Sequence, residues 1–112
     1  MCTRAQLNTI VECMVECYKN VYGNAVVDIV LYGSYARGDN DKESDIDIVA
    51  VVHGQRDELQ EKLKVVWDYS AELGMENDVI VSPTVIPYDE YMKYKETLPY
   101  YRNISKEGKK IG

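Results

Sequence analysis

Two short β-prone runs constrain this chain more than any other feature. Residues 25–32 read Ala-Val-Val-Asp-Ile-Val-Leu-Tyr, and residues 45–52 read Asp-Ile-Asp-Ile-Val-Ala-Val-Val. Each is too short for a stable helix and is rich in β-branched residues, so each reads as a strand. The first stops abruptly at Gly33-Ser34. Tyr35-Ala36-Arg37 reads as a helical turn before Gly38, and Asp39-Asn40-Asp41-Lys42-Glu43-Ser44 as a polar, turn-like stretch. A connection of about a dozen residues, mostly loop, permits antiparallel pairing, so a purely parallel sheet is not required.

Helical patterns surround these runs. Thr3 and Gln6 form a capping-box pair, and Leu7, Ile10, Val11, Met14, Val15 and Tyr18 recur at helical spacing up to about Asn20. Residues 56–73 form an amphipathic helix with Leu59, Leu63, Val66, Trp67, Ser70 and Leu73 inward, and Gly74 is the expected residue beyond its end. A third strand is expected from Asp78 to Val81, extending to Ile86 past Pro83. A short helix follows near residues 89–97, and Pro99 begins a helical or irregular tail. Strands alternating with helices predict an α/β (α+β) sheet covered by helices. At 112 residues the expectation is one domain, residues 1–112, with a modest core.

Charge narrows the function. Thirteen Lys and Arg against nineteen Asp and Glu give a net charge of −6. Such a chain has no broad electrostatic footprint for a phosphate backbone, so nucleic acid is not an expected partner. A nucleotide carried with a divalent cation is still allowed, because the cation reverses the local sign. No apolar run approaches a membrane span, and no apolar stretch follows Met1-Cys2-Thr3-Arg4, so no membrane partner and a cytoplasmic location are expected. Cys13 and Cys17, four apart on a helix, and Cys2 are expected to be reduced thiols. His53 is too far away to complete a metal site with them and reads as a solvated loop residue.

The chemistry gathers where the two runs meet. Asp45 and Asp47 lie two apart on a strand, so their carboxylates share a face, with Cα atoms about 7 Å apart. Like charges there destabilise an otherwise apolar strand unless a cation lies between them, and carboxylate oxygens suit Mg²⁺. Gly33 lets the backbone approach a ligand closely, and Ser34 adds a hydroxyl and an N–H. A helical turn from Tyr35 would present free N–H groups to an anion, with Arg37 nearby as a positive charge. Asp78 offers a third carboxylate, as metal ligand or general base. A calcium-binding EF-hand loop starting at Asp39 is excluded. It would need Gly at its sixth position and Glu at its twelfth, where this chain has Ser44 and Ala50.

The run Gly33-Ser34-Tyr35-Ala36-Arg37-Gly38, with ten residues between Ser34 and Asp45-Ile46-Asp47, resembles the signature of the DNA polymerase β-like nucleotidyltransferase superfamily. The small size and the Ala-Arg-Gly after the turn are similar to minimal nucleotidyltransferase (MNT) domains, often encoded beside HEPN-domain proteins as toxin–antitoxin pairs. The resemblance implies a mixed β-sheet with helices packed mainly on one face. It implies that Gly33 and Ser34 hold the triphosphate of ATP, that Asp45 and Asp47 bind two Mg²⁺ ions, and that Asp78 is the third carboxylate. Arg37 stands where the family commonly has Arg. The implied reaction transfers AMP to a hydroxyl, releasing pyrophosphate, with a tyrosine of a HEPN partner as one family acceptor. Two alternatives stay open: an antitoxin that neutralises a HEPN toxin by contact with weak catalysis, and an aminoglycoside-type adenylyltransferase. A homo- or hetero-oligomer would complete the cleft. The tyrosines around Tyr88, Tyr91, Tyr94, Tyr100 and Tyr101 are expected to pack a core that lacks Phe, and Lys106, Lys109 and Lys110 to be a solvated basic tail.

Overall fold

The computed structural model describes residues 3–38 and 45–112, apart from the side chains of Ser34 and Arg37. Cys2 and the polar stretch 39–44, including the excluded calcium-loop pattern, lie outside the described residues.

Helix α1 (Arg4–Tyr22) begins at the capping box, with the Thr3 hydroxyl accepting from the Gln6 N–H and the Gln6 side chain accepting from the Thr3 N–H. Its inner face buries Ile10, Met14, Tyr18 and Tyr22. Strand β1 (Val26–Tyr32) leads through the single helical turn α2 (Ser34–Arg37) to strand β2 (Ile46–Val52), and helix α3 (Arg56–Asn77) returns the chain to strand β3 (Val81–Pro87). Two short helices, α4 (Tyr88–Tyr94) and α5 (Pro99–Glu107), precede a two-residue strand, β4 (Lys109–Lys110).

The sheet is mixed, in the order β3-β2-β1-β4. β1 and β2 are antiparallel, as their loop connection permits, and β2 and β3 are parallel across the α3 crossover. β4 adds antiparallel to β1, so Lys109 and Lys110 form a strand whose exposed side chains include Lys110 Nζ, 3.5 Å from Asp28 Oδ1. The sequence reading of a basic tail missed that strand, because two exposed lysines carry no hydrophobic pattern.

The two long helices cover one face. Ile29, Leu31, Ile46, Ile48, Ala50, Val52, Val81 and Val85 pack there against Ile10, Met14, Tyr18, Leu63 and Val66. The Tyr18 hydroxyl reaches the backbone where β2 meets β3. It accepts from the Thr84 N–H (3.0 Å) and lies 3.0 Å from the Ile48 carbonyl and 2.9 Å from the Thr84 carbonyl. Pro83 beside it has no N–H, and it sits in an edge strand, where proline is tolerated. The opposite face carries a smaller cluster of Val30, Val49 and Ile86 under Tyr101 and Ile104 of α5. Tyr91, Tyr94 and Tyr32 border it, so Tyr91, Tyr94 and Tyr101 pack as expected, whereas Tyr100 is 44% exposed.

Three sequence expectations differ at α3. The helix runs on to Asn77, because Gly74 is inside it rather than beyond it. A Cβ at Gly74 would lie 2.6 Å from the Val79 carbonyl oxygen, so this glycine allows the chain to fold back onto the helix end. The left-handed residue that ends the helix is Asp78 (φ 55°, ψ 45°), whose N–H bonds to the Gly74 carbonyl. Asp78 therefore does not open the third strand, which starts at Val81. Trp67, placed on the inner stripe by spacing, is 47% exposed.

Candidate active site

β1 and β2 deliver the site at one end of the sheet. Tyr32, the last residue of β1, pairs with Asp47 across the antiparallel ladder, and Gly33 follows at once. Gly33 has φ of +80°, the left-handed region that favours glycine. A Cβ on Gly33 would stand 2.7 Å from Asp47 Oδ2. Both the conformation and the close approach therefore require glycine. The bond from the Ala36 N–H to the Gly33 carbonyl (3.1 Å) closes the turn into α2. The Gly33–Arg37 turn is thus held directly against the Asp47 carboxylate. Ser34 and Arg37 belong to this turn by their backbones.

Asp45 is exposed, one residue before β2, and Asp47 is half-buried within it. Burial, and next the charge of Asp45, push the Asp47 carboxyl above its ordinary value. The two carboxylates are close enough to repel, and one of them is partly desolvated. Their hard oxygens suit a divalent cation such as Mg²⁺, and binding would relieve that repulsion.

Asp47 lies on the sheet face opposite α1 and α3, with neighbours that spacing alone did not single out. Ser82 is its partner in the parallel ladder, Thr84 lies further along the same face, and Tyr100 stands over them. The Tyr100 ring meets Tyr32 edge-on at 5.9 Å. Its phenol is pushed up by burial, and by Tyr32 and the charge of Asp47, against a side-chain hydrogen bond with Thr84 that lowers it. The signal for these residues was the strand period itself, which requires a register before it can name a neighbour.

Asp78 does not join this group. It is exposed, off the sheet, and shares with Asp45 a cavity of about 600 Å³ also lined by Trp67, Ser70 and Ile80. Asp47 does not line that cavity. Among the described residues, no three His, Cys, Asp or Glu side chains are grouped to hold a metal ion. Of the three expected carboxylates, Asp45 and Asp47 share strand β2 and its start, while Asp78 meets Asp45 only across the cavity. Cys13 and Cys17 are free and half-buried, and His53 is exposed with its ring 4.4 Å from that of Tyr88.

Comparison with known proteins gives the family and the fold. A family model described as the nucleotidyltransferase domain matches residues 7–111. Two candidate protein adenylyltransferases of Methanocaldococcus jannaschii are similar in sequence. MJ0604 is 33% identical over 95 residues, covering 85% of this chain and 87% of that protein. MJ0141 is 34% identical over 70 residues, covering 62% of this chain and 61% of that protein, so the match spans about three-fifths of its length. Among solved structures, a mutant of the toxin–antitoxin MntA-HpeT aligns with a TM-score of 0.59 at 15% identity, over 91% of this chain and 72% of that one. A toxin–antitoxin with AMP-PNP aligns with a TM-score of 0.56 at 18% identity, over 90% of this chain and 72% of that one. At these identities the likeness concerns the fold alone. With its family model covering nearly the whole sequence, and with the Gly33 turn set against Asp45 and Asp47, the chain belongs to the nucleotidyltransferase family.

Proposed function

We propose that this protein transfers AMP from ATP to a hydroxyl on a partner protein, a HEPN-type toxin, and so acts as its antitoxin. The observation that carries the reading is the close approach of Gly33 to Asp47, where a Cβ would meet Oδ2; it sets the turn against a pair of carboxylates whose oxygens suit a cation. The names of the Methanocaldococcus jannaschii relatives support a protein acceptor, and the toxin–antitoxin structures of like fold support the partner.

In this reading the Gly33 backbone and Ser34 hold the triphosphate, Arg37 adds positive charge, and Asp45 with Asp47 hold Mg²⁺, two ions by family resemblance. The bound cation supplies the positive charge that offsets charge developing on the phosphate oxygens. The chain's own residues do the positioning. Gly33 keeps the turn close enough to Asp47 for phosphate and carboxylate to face a common point. The half-buried setting of Asp47 strengthens its interaction with that point relative to open water. The acceptor oxygen then bonds to the α-phosphorus as the bond to the pyrophosphate oxygen breaks, pyrophosphate leaves, and the hydroxyl proton passes to solvent. Holding both reactants in line is a large part of such catalysis, beside the electrostatic stabilisation of the developing charge.

The test is co-expression with the product of the neighbouring gene and mass measurement of that product. The account expects an added AMP on a hydroxyl residue, absent when Asp45 and Asp47 are both changed to Asn. An unmodified partner in the presence of the native chain and Mg·ATP would refute the transfer. The alternative, neutralisation by contact, draws on the toxin–antitoxin structures of like fold and leaves catalysis weak. It requires the Asn double variant to neutralise the toxin as well as the native chain does.

A further inference from the structure

We infer that Ser82, rather than Asp78, is the third side chain of the cation site, so that the cation is held on two carboxylates and a hydroxyl. The inference rests on the reading of Asp45 and Asp47 as cation ligands, and it concerns what stands beside them.

Register carries it. Asp47 and Ser82 are direct partners in the parallel β2–β3 ladder, and Ile46 and Val81 pair just before them. Neighbouring strands lie about 4.8 Å apart, and registered partners in a parallel pair point to the same face. Val81 and Val85 are buried in the core under α1 and α3, so Ser82, between them in the alternation, projects to the face that carries Asp47. Ser82 is half-buried there, as Asp47 is. Of all β3 positions, this one would set a third ligand directly alongside Asp47.

Asp78 is engaged elsewhere. Its left-handed backbone ends α3, it precedes the first ladder pair by three residues, and its cavity is shared with Asp45 but not with Asp47. A serine hydroxyl offers one donor and two lone pairs but no charge. It can ligate a cation, hold a cation-bound water, or donate to a phosphate oxygen. What it cannot do is add a third negative charge. The free protein therefore holds a divalent cation weakly, and the triphosphate supplies the missing negative charge, so that cation and nucleotide bind together.

The experiment titrates Mn²⁺ alone, followed by the paramagnetic resonance of the free ion, into the native chain and the variants Ser82→Asp, Asp78→Asn and Asp47→Asn. Adding a carboxylate beside Asp47 is expected to tighten Mn²⁺ binding about tenfold or more. Asp78→Asn is expected to leave it within about twofold of the native value, as suits a screened surface charge. Ser82→Asp without tightening overturns the proposal, and so does a tenfold loss in Asp78→Asn. If Ser82→Asp unfolds without cation, its thermal melt is repeated with Mn²⁺. Recovery of the fold supports the proposal, and no recovery counts against it. Asp47→Asn tests the underlying reading separately: unchanged Mn²⁺ binding there would mean that the carboxylate pair is not the cation site at all.

Discussion

At the scale of single residues, Gly33 and Asp47 decide what the site can be. Gly33→Ala must place a Cβ against Asp47 Oδ2 and hold an L-residue at a left-handed φ. The backbone conformation alone costs about 1–2 kcal/mol. The variant is expected to melt lower by that order and to lose transfer activity, and a thermal melt beside an activity assay checks both. Asp47 gives a prediction of opposite sign. Its folded pKa is raised, so the stability it contributes is present below the ordinary carboxylate range and is lost as pH rises through the raised value. At neutral pH, without cation, the ionised carboxylate is a cost. Asp47→Asn should therefore raise cation-free stability by about 0.5 kcal/mol, a value kept small because the group is only half-buried and solvent still screens it. The gain should fade as pH falls and Asp47 takes up its proton. Melts of both proteins across acidic pH would show the difference closing; a difference that grows toward acid would refute the sign.

At the scale of elements, much was legible because periodicity and capping are local. The Thr3–Gln6 box, the α1 stripe, both central strands and the long helix from Arg56 all lie where the sequence puts them. What was not legible depended on tertiary contact. Gly74 looks like a helix terminator, yet the returning Val79 backbone makes it a buried helix residue. Asp78 looks like the start of a strand, yet it is the left-handed cap, three residues before the β2–β3 ladder begins. Trp67 has the right spacing for the inner stripe but borders a cavity at the helix edge. Within the site, Gly33, Asp45 and Asp47 were readable from spacing, whereas Ser82, Thr84 and Tyr100 needed the β2–β3 register and the placement of α5. Tyr18 shows how a helix can fix that register. Tyr18→Phe leaves the part-buried Thr84 N–H without its hydroxyl partner at the β2–β3 seam, and losing such a hydrogen bond costs about 1 kcal/mol. Urea denaturation should show a lower midpoint with an unchanged slope. An unchanged midpoint would mean that the hydroxyl contributes nothing to the seam.

At the scale of the whole molecule, an acidic chain carries a site for an anionic substrate. In the proposed function the resolution is local: Asp45 and Asp47 would recruit a cation, and the cation with the Gly33 turn would receive the triphosphate. No helix among the described residues is long and apolar enough to cross a membrane. The long helices close one sheet face, while Asp47, Ser82 and Tyr100 gather at the end of the other, where an acceptor hydroxyl would have to arrive. The central claim is that this face moves a nucleotide, and not a terminal phosphate, onto a partner. The most direct measurement incubates the chain and its partner with Mg²⁺ and ATP labelled either at the α- or at the γ-phosphorus. The account predicts α-label on the partner, no γ-label, and neither when Asp45 and Asp47 are both Asn. Transfer of γ-label, or α-label undiminished in the double variant, would contradict it.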